Sequence, residues 1–232
     1  QGNYWVSSEK VLYTYNPVTG ASTPKLNLDG WGINCMTDDG EGTLYICNYG
    51  KGLCIYNSVT GDAKHLSMYQ SDTKMGVLYN DWIKALMLDS HGLLWIATVN
   101  GLCVMNPADC NFKVLGWDGQ LTGIQCFSLC EHEGLILIGT DSGLYQYDRK
   151  SNKVVLRPDT KEIENKPVYS IIASRNGDLW MSSANGIWQY DSKGKHLILH
   201  SGGGGLETRE FTLGAMVHAS DDRIYYGSNE GI

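Results

Sequence analysis

A short phrase recurs along this chain at nearly constant intervals. It reads Gly52-Leu53-Cys54-Ile55-Tyr56-Asn57, then Gly101-Leu102-Cys103-Val104-Met105-Asn106. It returns as Gly143-Leu144-Tyr145-Gln146-Tyr147-Asp148 and Gly186-Ile187-Trp188-Gln189-Tyr190-Asp191, and opens once more at Gly231-Ile232. Successive glycines are 49, 42, 43 and 45 residues apart. A degraded copy, Val11-Leu12-Tyr13-Thr14-Tyr15-Asn16, stands 41 residues before Gly52 with Val11 in the glycine position. A period of this length means one supersecondary unit copied several times, each copy burying its apolar face against the next.

Further anchors keep the same register. Six residues before the phrase come Trp5, Trp95, Leu137, Trp180 and Tyr225, and Tyr45 stands seven before Gly52. A turn glycine precedes the anchor at Gly42, Gly92, Gly134 and Gly177, with Asp222 in the last copy. Before the turn runs an apolar stretch, at Ile33–Thr37, Ile83–Leu88, Gln125–Cys130, Val168–Ala173 and Leu213–His218. Each unit therefore reads as four short strands. Strand A is the apolar stretch, strand B carries the anchor, strand C is the phrase, and strand D is a segment such as Phe112–Leu115, Val154–Leu156 or Leu197–Leu199. The C–D turns Asn16-Pro17-Val18-Thr19-Gly20 and Asn57-Ser58-Val59-Thr60-Gly61 are near copies.

Strands A and B are apolar almost throughout, as expected of strands covered on both faces. No apolar period of 3.6 residues persists, so helices should be scarce. Four strands at this spacing predict an all-β chain, a partial β-propeller of four-stranded antiparallel blades. About five blades are expected, an arc of a seven-bladed ring. The 232 residues read as one propeller fragment, with repeats near 1–30, 31–81, 82–123, 124–167, 168–210 and a truncated 211–232. The phase runs from strand B of one blade to the start of strand C of another. An arc leaves strand edges open, so closure within a larger propeller or self-association is expected.

Charge narrows the partners. The chain has 18 basic and 25 acidic residues, a net charge of −7 and no Lys/Arg run. That argues against nucleic acid, which demands clustered cations. No stretch reaches the length of a membrane-spanning helix, so no membrane contact by this fragment is expected. The seven cysteines lack any C-x-x-C pair. Cys54 and Cys103 share one repeat position. Cys47 stands where other copies carry Ser7, Ala97, Gly139, Ser182 and Gly227. These are packing slots, where a thiol behaves as a small apolar group.

Catalytic constellations are missing. His65, His91, His132, His196, His200 and His218 form no H-E-x-x-H and no close triad. Glu131-His132-Glu133 reads as a solvated A–B turn. Ser201-Gly202-Gly203-Gly204-Gly205 lacks the following Lys of a phosphate loop and reads as a flexible loop. Asp38-Asp39 and Asp221-Asp222 fall in A–B turns, where carboxylates serve the turn itself. No catalytic residue, metal or cofactor is assigned.

A binding face is better supported. B–C turns and D–A loops share one end of each meander, and the D–A loops are the longest connections, where binding residues concentrate. They carry Trp31, Tyr69, Tyr79, Asn80, Asp81, Trp82, Trp117, Asp118, Arg209 and Glu210. Of these, Trp31, Tyr79, Asp81, Trp82, Trp117, Arg209 and Glu210 are the candidate ligand residues. Aromatic faces stack on sugar C–H groups, and Asp, Glu and Arg hydrogen-bond hydroxyls. The competing reading for Trp31 and Trp82 is that they plug gaps between blades.

The unit Asp89-Ser90-His91-Gly92-Leu93-Leu94-Trp95-Ile96-Ala97-Thr98-Val99-Asn100-Gly101-Leu102 resembles the two-component regulator propeller repeat. Gly205-Leu206, Glu210-Phe211, Gly214-Ala215 and Ile224–Ile232 resemble the closing blade of the second propeller in the sensor regions of Bacteroides-type hybrid two-component systems. Departures are Val11 for glycine, Leu137 for Trp, and Glu131, Ser174 and Ala219 for the turn Asp. The resemblance implies a non-catalytic periplasmic ectodomain of an inner-membrane sensor histidine kinase, answering to glycan fragments. An oligosaccharide ligand and a homodimer or self-association through propeller edges or faces follow as expected partners. A propeller-fold enzyme such as a lyase, or a plain interaction scaffold, are the alternatives.

Overall fold

In the computed structural model, residues 2–28, 32–69, 78–115, 121–202 and 210–232 are described. They contain 21 strands, one 3-10 turn at Lys161–Ile163 and no α-helix. The strands group in chain order. First come β1 (Tyr4–Ser8), β2 (Val11–Tyr15) and β3 (Ser22–Asn27). Four meanders follow: β4–β7 (Ile33–Asp38, Thr43–Asn48, Gly52–Asn57, Ala63–Leu66) and β8–β11 (Ile83–Leu88, Leu94–Thr98, Gly101–Asn106, Asn111–Leu115). Then come β12–β15 (Cys126–His132, Leu135–Thr140, Gly143–Asp148, Lys153–Leu156) and β16–β19 (Ser170–Ala173, Leu179–Ser183, Gly186–Asp191, His196–His200). Last are β20 (Phe211–His218) and β21 (Ile224–Ser228). Within every sheet neighbours are consecutive and antiparallel. This is the blade topology expected of a partial β-propeller, with one sheet per repeat.

The chain divides into two compact units, Gln1–Thr98 with Cys103–Lys113, and Val99–Leu102 with Val114–Ile232. In the first, two cores lie between successive sheets. Leu12, Leu28, Leu44, Ile46, Cys54 and Tyr56 form one. Cys47, Leu53, Leu66, Leu78, Ile83, Leu94, Ile96, Cys103 and Met105 belong to the other. Cys47 and Cys54 thus pack into different cores of one strand pair. Burial pushes the Cys54 thiol up to about 11 and Cys103 up to about 12. In the second unit Leu137, Leu144, Val168, Ile171, Leu179, Met181 and Trp188 form the core. Leu137, the departure from Trp, is fully buried there.

Burial corrects one sequence expectation. Strand B is covered on both faces, every residue of β9 being buried. Strand A divides: β12 and β16 are buried over their first three residues, whereas β8 is buried only at Ile83 and β4 is half-buried with Asn34 and Asp38 exposed.

The motif residues serve local geometry. Asp89 is buried; its Oδ1 accepts the His91 and Leu93 amides at 2.8 and 2.9 Å, and its Oδ2 accepts Trp95 Nε1–H at 2.5 Å. The turn and the anchor Trp are thereby locked by one carboxylate. The twin C–D turns are Asx turns. Asn16 Oδ1 accepts the Val18 and Thr19 amides, and Asn57 Oδ1 accepts Val59 and Thr60, at 2.9 and 3.0 Å in both. The strand-C glycine has two reasons to be glycine. Gly52 has φ +83°, and a Cβ there would lie 2.3 Å from the Leu66 carbonyl oxygen; Gly186 repeats this with φ +135° and His200.

A second correction concerns residues 131–134. Glu131 and His132 belong to β12, and the turn is only Glu133-Gly134, with φ +50° and +76°. A two-residue hairpin with both φ positive matches strand twist, so the ladder runs on to the very turn. His132 is accordingly mostly covered, at 12% side-chain exposure. Its burial lowers its pKa, against the raising effect of Glu133. Glu131 pairs with Arg149 at 3.0 Å.

Candidate functional site

One candidate site lies where a B–C turn meets a D–A loop in the first unit. The loop before β8 carries Tyr79, Asn80, Asp81 and Trp82. Asp81 turns inward and is 4% exposed. Its Oδ2 accepts the Ser67 hydroxyl at 2.8 Å, its Oδ1 accepts the Met68 amide at 2.7 Å, and its carbonyl accepts the Gly52 amide at 3.2 Å. Asp81 thus ties the end of strand D to the head of strand C. Tyr79 is half-buried against the core. Asn80 Oδ1 accepts the Trp82 amide at 2.8 Å and fixes the loop tip.

Trp82 faces outward, 41% exposed. Its ring meets Tyr49 edge-on, with centroids 4.7 Å apart and planes at 84°. It also covers Gly50, where a Cβ would sit 3.4 Å from the indole. The Lys84 ammonium stands 5.2 Å from the Tyr49 ring centre. Trp82 therefore packs on the preceding repeat and still presents a face to solvent, combining the two readings made from sequence.

Tyr49 also lines a pocket of about 300 Å³ with Ser7, Glu9, Gly32, Ile33 and Asn34. Backbone bonds set its walls: the Ile33 amide donates to Glu9 O at 2.9 Å and the Tyr49 amide to Gly32 O at 3.0 Å. Asn34 Nδ2 donates to Ile83 O at 3.1 Å. Residues bearing a carboxylate, an amide, a hydroxyl and a phenol line this space. Such a set suits a neutral, hydroxyl-rich ligand. Tyr49, Glu9 and Asn34 were not singled out from sequence. Tyr49 follows strand B in the segment Asn48-Tyr49-Gly50-Lys51, matched by Val99-Asn100 and Ala184-Asn185 elsewhere, so an aromatic there was the available signal.

Trp31, Trp117, Asp118 and Arg209 lie outside the described residues. Glu210 is exposed in the second unit, its Oε2 accepting Asn229 Nδ2–H at 2.8 Å. Tyr69 is 83% exposed. A different pocket of about 390 Å³, in the second unit, is lined by Ser174, Asn176, Trp180, Ile187, Asp222, Ile224 and Tyr226. It lies among A–B turns.

The paired turn carboxylates are occupied by their own backbone. Asp39 Oδ1 accepts the Glu41 and Thr43 amides and Asp38 Oδ1 accepts Gly40. Although desolvation pushes Asp39 upward, those amide bonds hold it below the ordinary carboxylate value. His200 stacks on Trp180 at 5.4 Å, and His218 meets Asp222 at 2.5 Å. Among the described residues no three His, Cys, Asp or Glu gather as a metal site would require.

Comparison with known proteins bears on this fold directly. No protein-family model matches the chain. The extracellular domain of a putative hybrid two-component system, BT4673 of B. thetaiotaomicron, superposes on 99% of the chain with a TM-score of 0.82 at 19% identity. The chain shares the fold of a two-component sensor ectodomain. The extracellular domain of a second such system, BT3049, matches over 98% of the chain with a TM-score of 0.77, also at 19% identity. In sequence, 203 residues are 23% identical to Histidine kinase P4 of Formosa agariphila, 84% of this chain. The chain spans 14% of that kinase and about 30% of the solved domains. The resemblance read from the repeat is thus met by relatives of the expected kind, and those solved domains are extracellular.

Proposed function

We propose that this chain is part of the periplasmic sensing ectodomain of a hybrid two-component system, whose other parts are a membrane anchor and a cytoplasmic histidine kinase. It performs no chemistry of its own. One observation carries this reading: 99% of the chain follows an ectodomain of such a system at a TM-score of 0.82. No helix among the described residues is long and apolar enough to cross a membrane.

The ligand we propose is an oligosaccharide, taken on the B–C and D–A end at Trp82, Tyr49 and the polar pocket beside them. Tyr79 and Asp81 shape that loop, while Trp31, Trp117, Arg209 and Glu210 extend the same class of loop in other repeats. An aromatic face next to hydroxyl, amide and carboxylate groups is the usual way to hold a sugar ring. Two copies pairing through propeller edges or faces would give ligand binding a state to favour, because only differential binding moves an equilibrium. The test is calorimetric titration of the full ectodomain with a panel of glycan fragments. Saturable heat with one fragment class, lost in Trp82→Ala, is the expected result. Absence of heat across the panel would overturn direct glycan sensing.

A further inference from the structure

Each of the five sheets that has both a strand A and a strand B carries one cramped position where the two face each other. The occupants are Ala85 and Ala97 in the third sheet, Ser128 and Gly139 in the fourth, and Ser170 and Ser182 in the fifth, each pair directly opposed in its ladder. In the last sheet Ala215 faces Gly227. The space is tight. A Cβ on Gly139 would lie 2.3 Å from Ser128 Oγ, and the Ser170 and Ser182 hydroxyls stand 2.5 Å apart. Only small side chains fit.

In the second sheet the pair is Cys35 and Cys47. Their sulfurs stand 2.6 Å apart, well inside ordinary contact between unbonded sulfur atoms, and the Cys35 amide points at Cys47 Sγ at 3.0 Å. Directly opposed antiparallel residues have Cα atoms about 4.5–5.5 Å apart, within the span that a disulfide bridges. Cys47 is fully buried and Cys35 half-buried. The other slots relieve the crowding by shrinking to Ala, Gly or Ser. A pair of thiols relieves it by bonding.

We infer that Cys35 and Cys47 form a disulfide that staples strand A to strand B in the second sheet. The two thiols give up two protons and two electrons to an incoming disulfide, of a small molecule or an exchange protein, which leaves as two thiols. The bond closes a short loop across the A–B hairpin and holds strand A, the poorly covered edge of its sheet, to the buried strand B.

The test is chemical. Cys35 and Cys47 fall in a single tryptic peptide, because no Lys or Arg occurs between Lys25 and Lys51. Folded protein is incubated with oxidised glutathione, denatured, alkylated without reductant and digested. The expected 26–51 peptide is unalkylated and two hydrogens lighter than the dithiol. Cleavage after Glu41 leaves its halves joined until reductant is added. Two alkyl groups on that peptide would overturn the inference, and would do so without touching the sensor reading, since the oxidant is supplied in vitro. As a second measurement, reductant should lower the Tm of the oxidised protein by roughly 5–10 °C. The double variant Cys35→Ala/Cys47→Ala copies the slot of the third sheet and should melt at one temperature with or without reductant. An oxidised protein whose Tm ignored reductant would likewise sink the staple.

Discussion

The two ends of the meanders in the first unit are built on different principles. At the A–B and C–D end, side chains close turns on amides within the same few residues, and Ser58 adds a bond from a C–D turn to the Gly42 carbonyl of the A–B turn. Asp89 serves His91, Leu93 and Trp95, and Asn16 and Asn57 each serve the two following amides. At the B–C and D–A end, order comes from distant partners. Asp81 holds Ser67, Met68 and Gly52; Trp82 leans on Tyr49; Asn34 reaches Ile83. The first end repeats because its instructions are short. The second varies because a change at one residue is absorbed by another tens of positions away, and that freedom is what a recognition surface needs.

Substitutions can break or sharpen this contrast. The largest loss is expected for Gly52→Ala at the loop end, where a Cβ meets the Leu66 carbonyl and a positive φ together. Destabilisation of at least about 3 kcal/mol should appear in urea unfolding. A value under about 1 kcal/mol would mean that strands C and D separate freely there. Next is Asp89→Ala, which strands two amides and the Trp95 N–H. About 2–3 kcal/mol is expected, with ligand titration unchanged. Trp82→Ala reverses the pattern. About 1 kcal/mol or less of stability should go, while oligosaccharide affinity falls roughly tenfold or more. Equal stability losses for Asp89→Ala and Trp82→Ala would erase the distinction between the ends.

The smallest effect concerns pH. His132 is held below its ordinary 6.5 by burial, so the folded chain resists its protonation. The unfolded chain takes up that proton first as pH falls below about 6.5, and stability declines from there until the folded group also titrates. Above 6.5 this residue contributes no slope. His132→Gln should flatten Tm against pH between about 6.5 and 5, measured by thermal melts.

Much of the fold was legible because strand C announces itself. A glycine that must admit the strand-D carbonyl, as Gly52 and Gly186 do, cannot be replaced cheaply, and Gly101 and Gly143 share the positive φ of that position, so all four mark the register. The turn Asp and the twin Asn turns were readable for the same reason, since their partners lie within six residues. The candidate site was legible only in part. Trp82 was visible as a large aromatic in a loop. Its support from Tyr49 depends on a contact across 33 positions, and the aromatic in Asn48-Tyr49-Gly50 is a local sign that does not name its partner. Asp81 looked like a sugar ligand and is a buried brace, because a carboxylate in a loop reads identically whether it faces water or backbone. The opposition of Cys35 and Cys47 rests on ladder register, which the irregularity between Ile33 and Cys35 shifts by one residue.

The turns that finish their own bonding have an evolutionary corollary. Because Asn16 and Asn57 close their turns on the amides that directly follow, a duplicated copy of the gene segment arrives with those turns already specified. Lengthening the array then requires only that the apolar faces of the new sheet suit those beside it, while the opposite rim is left at liberty to acquire new chemistry.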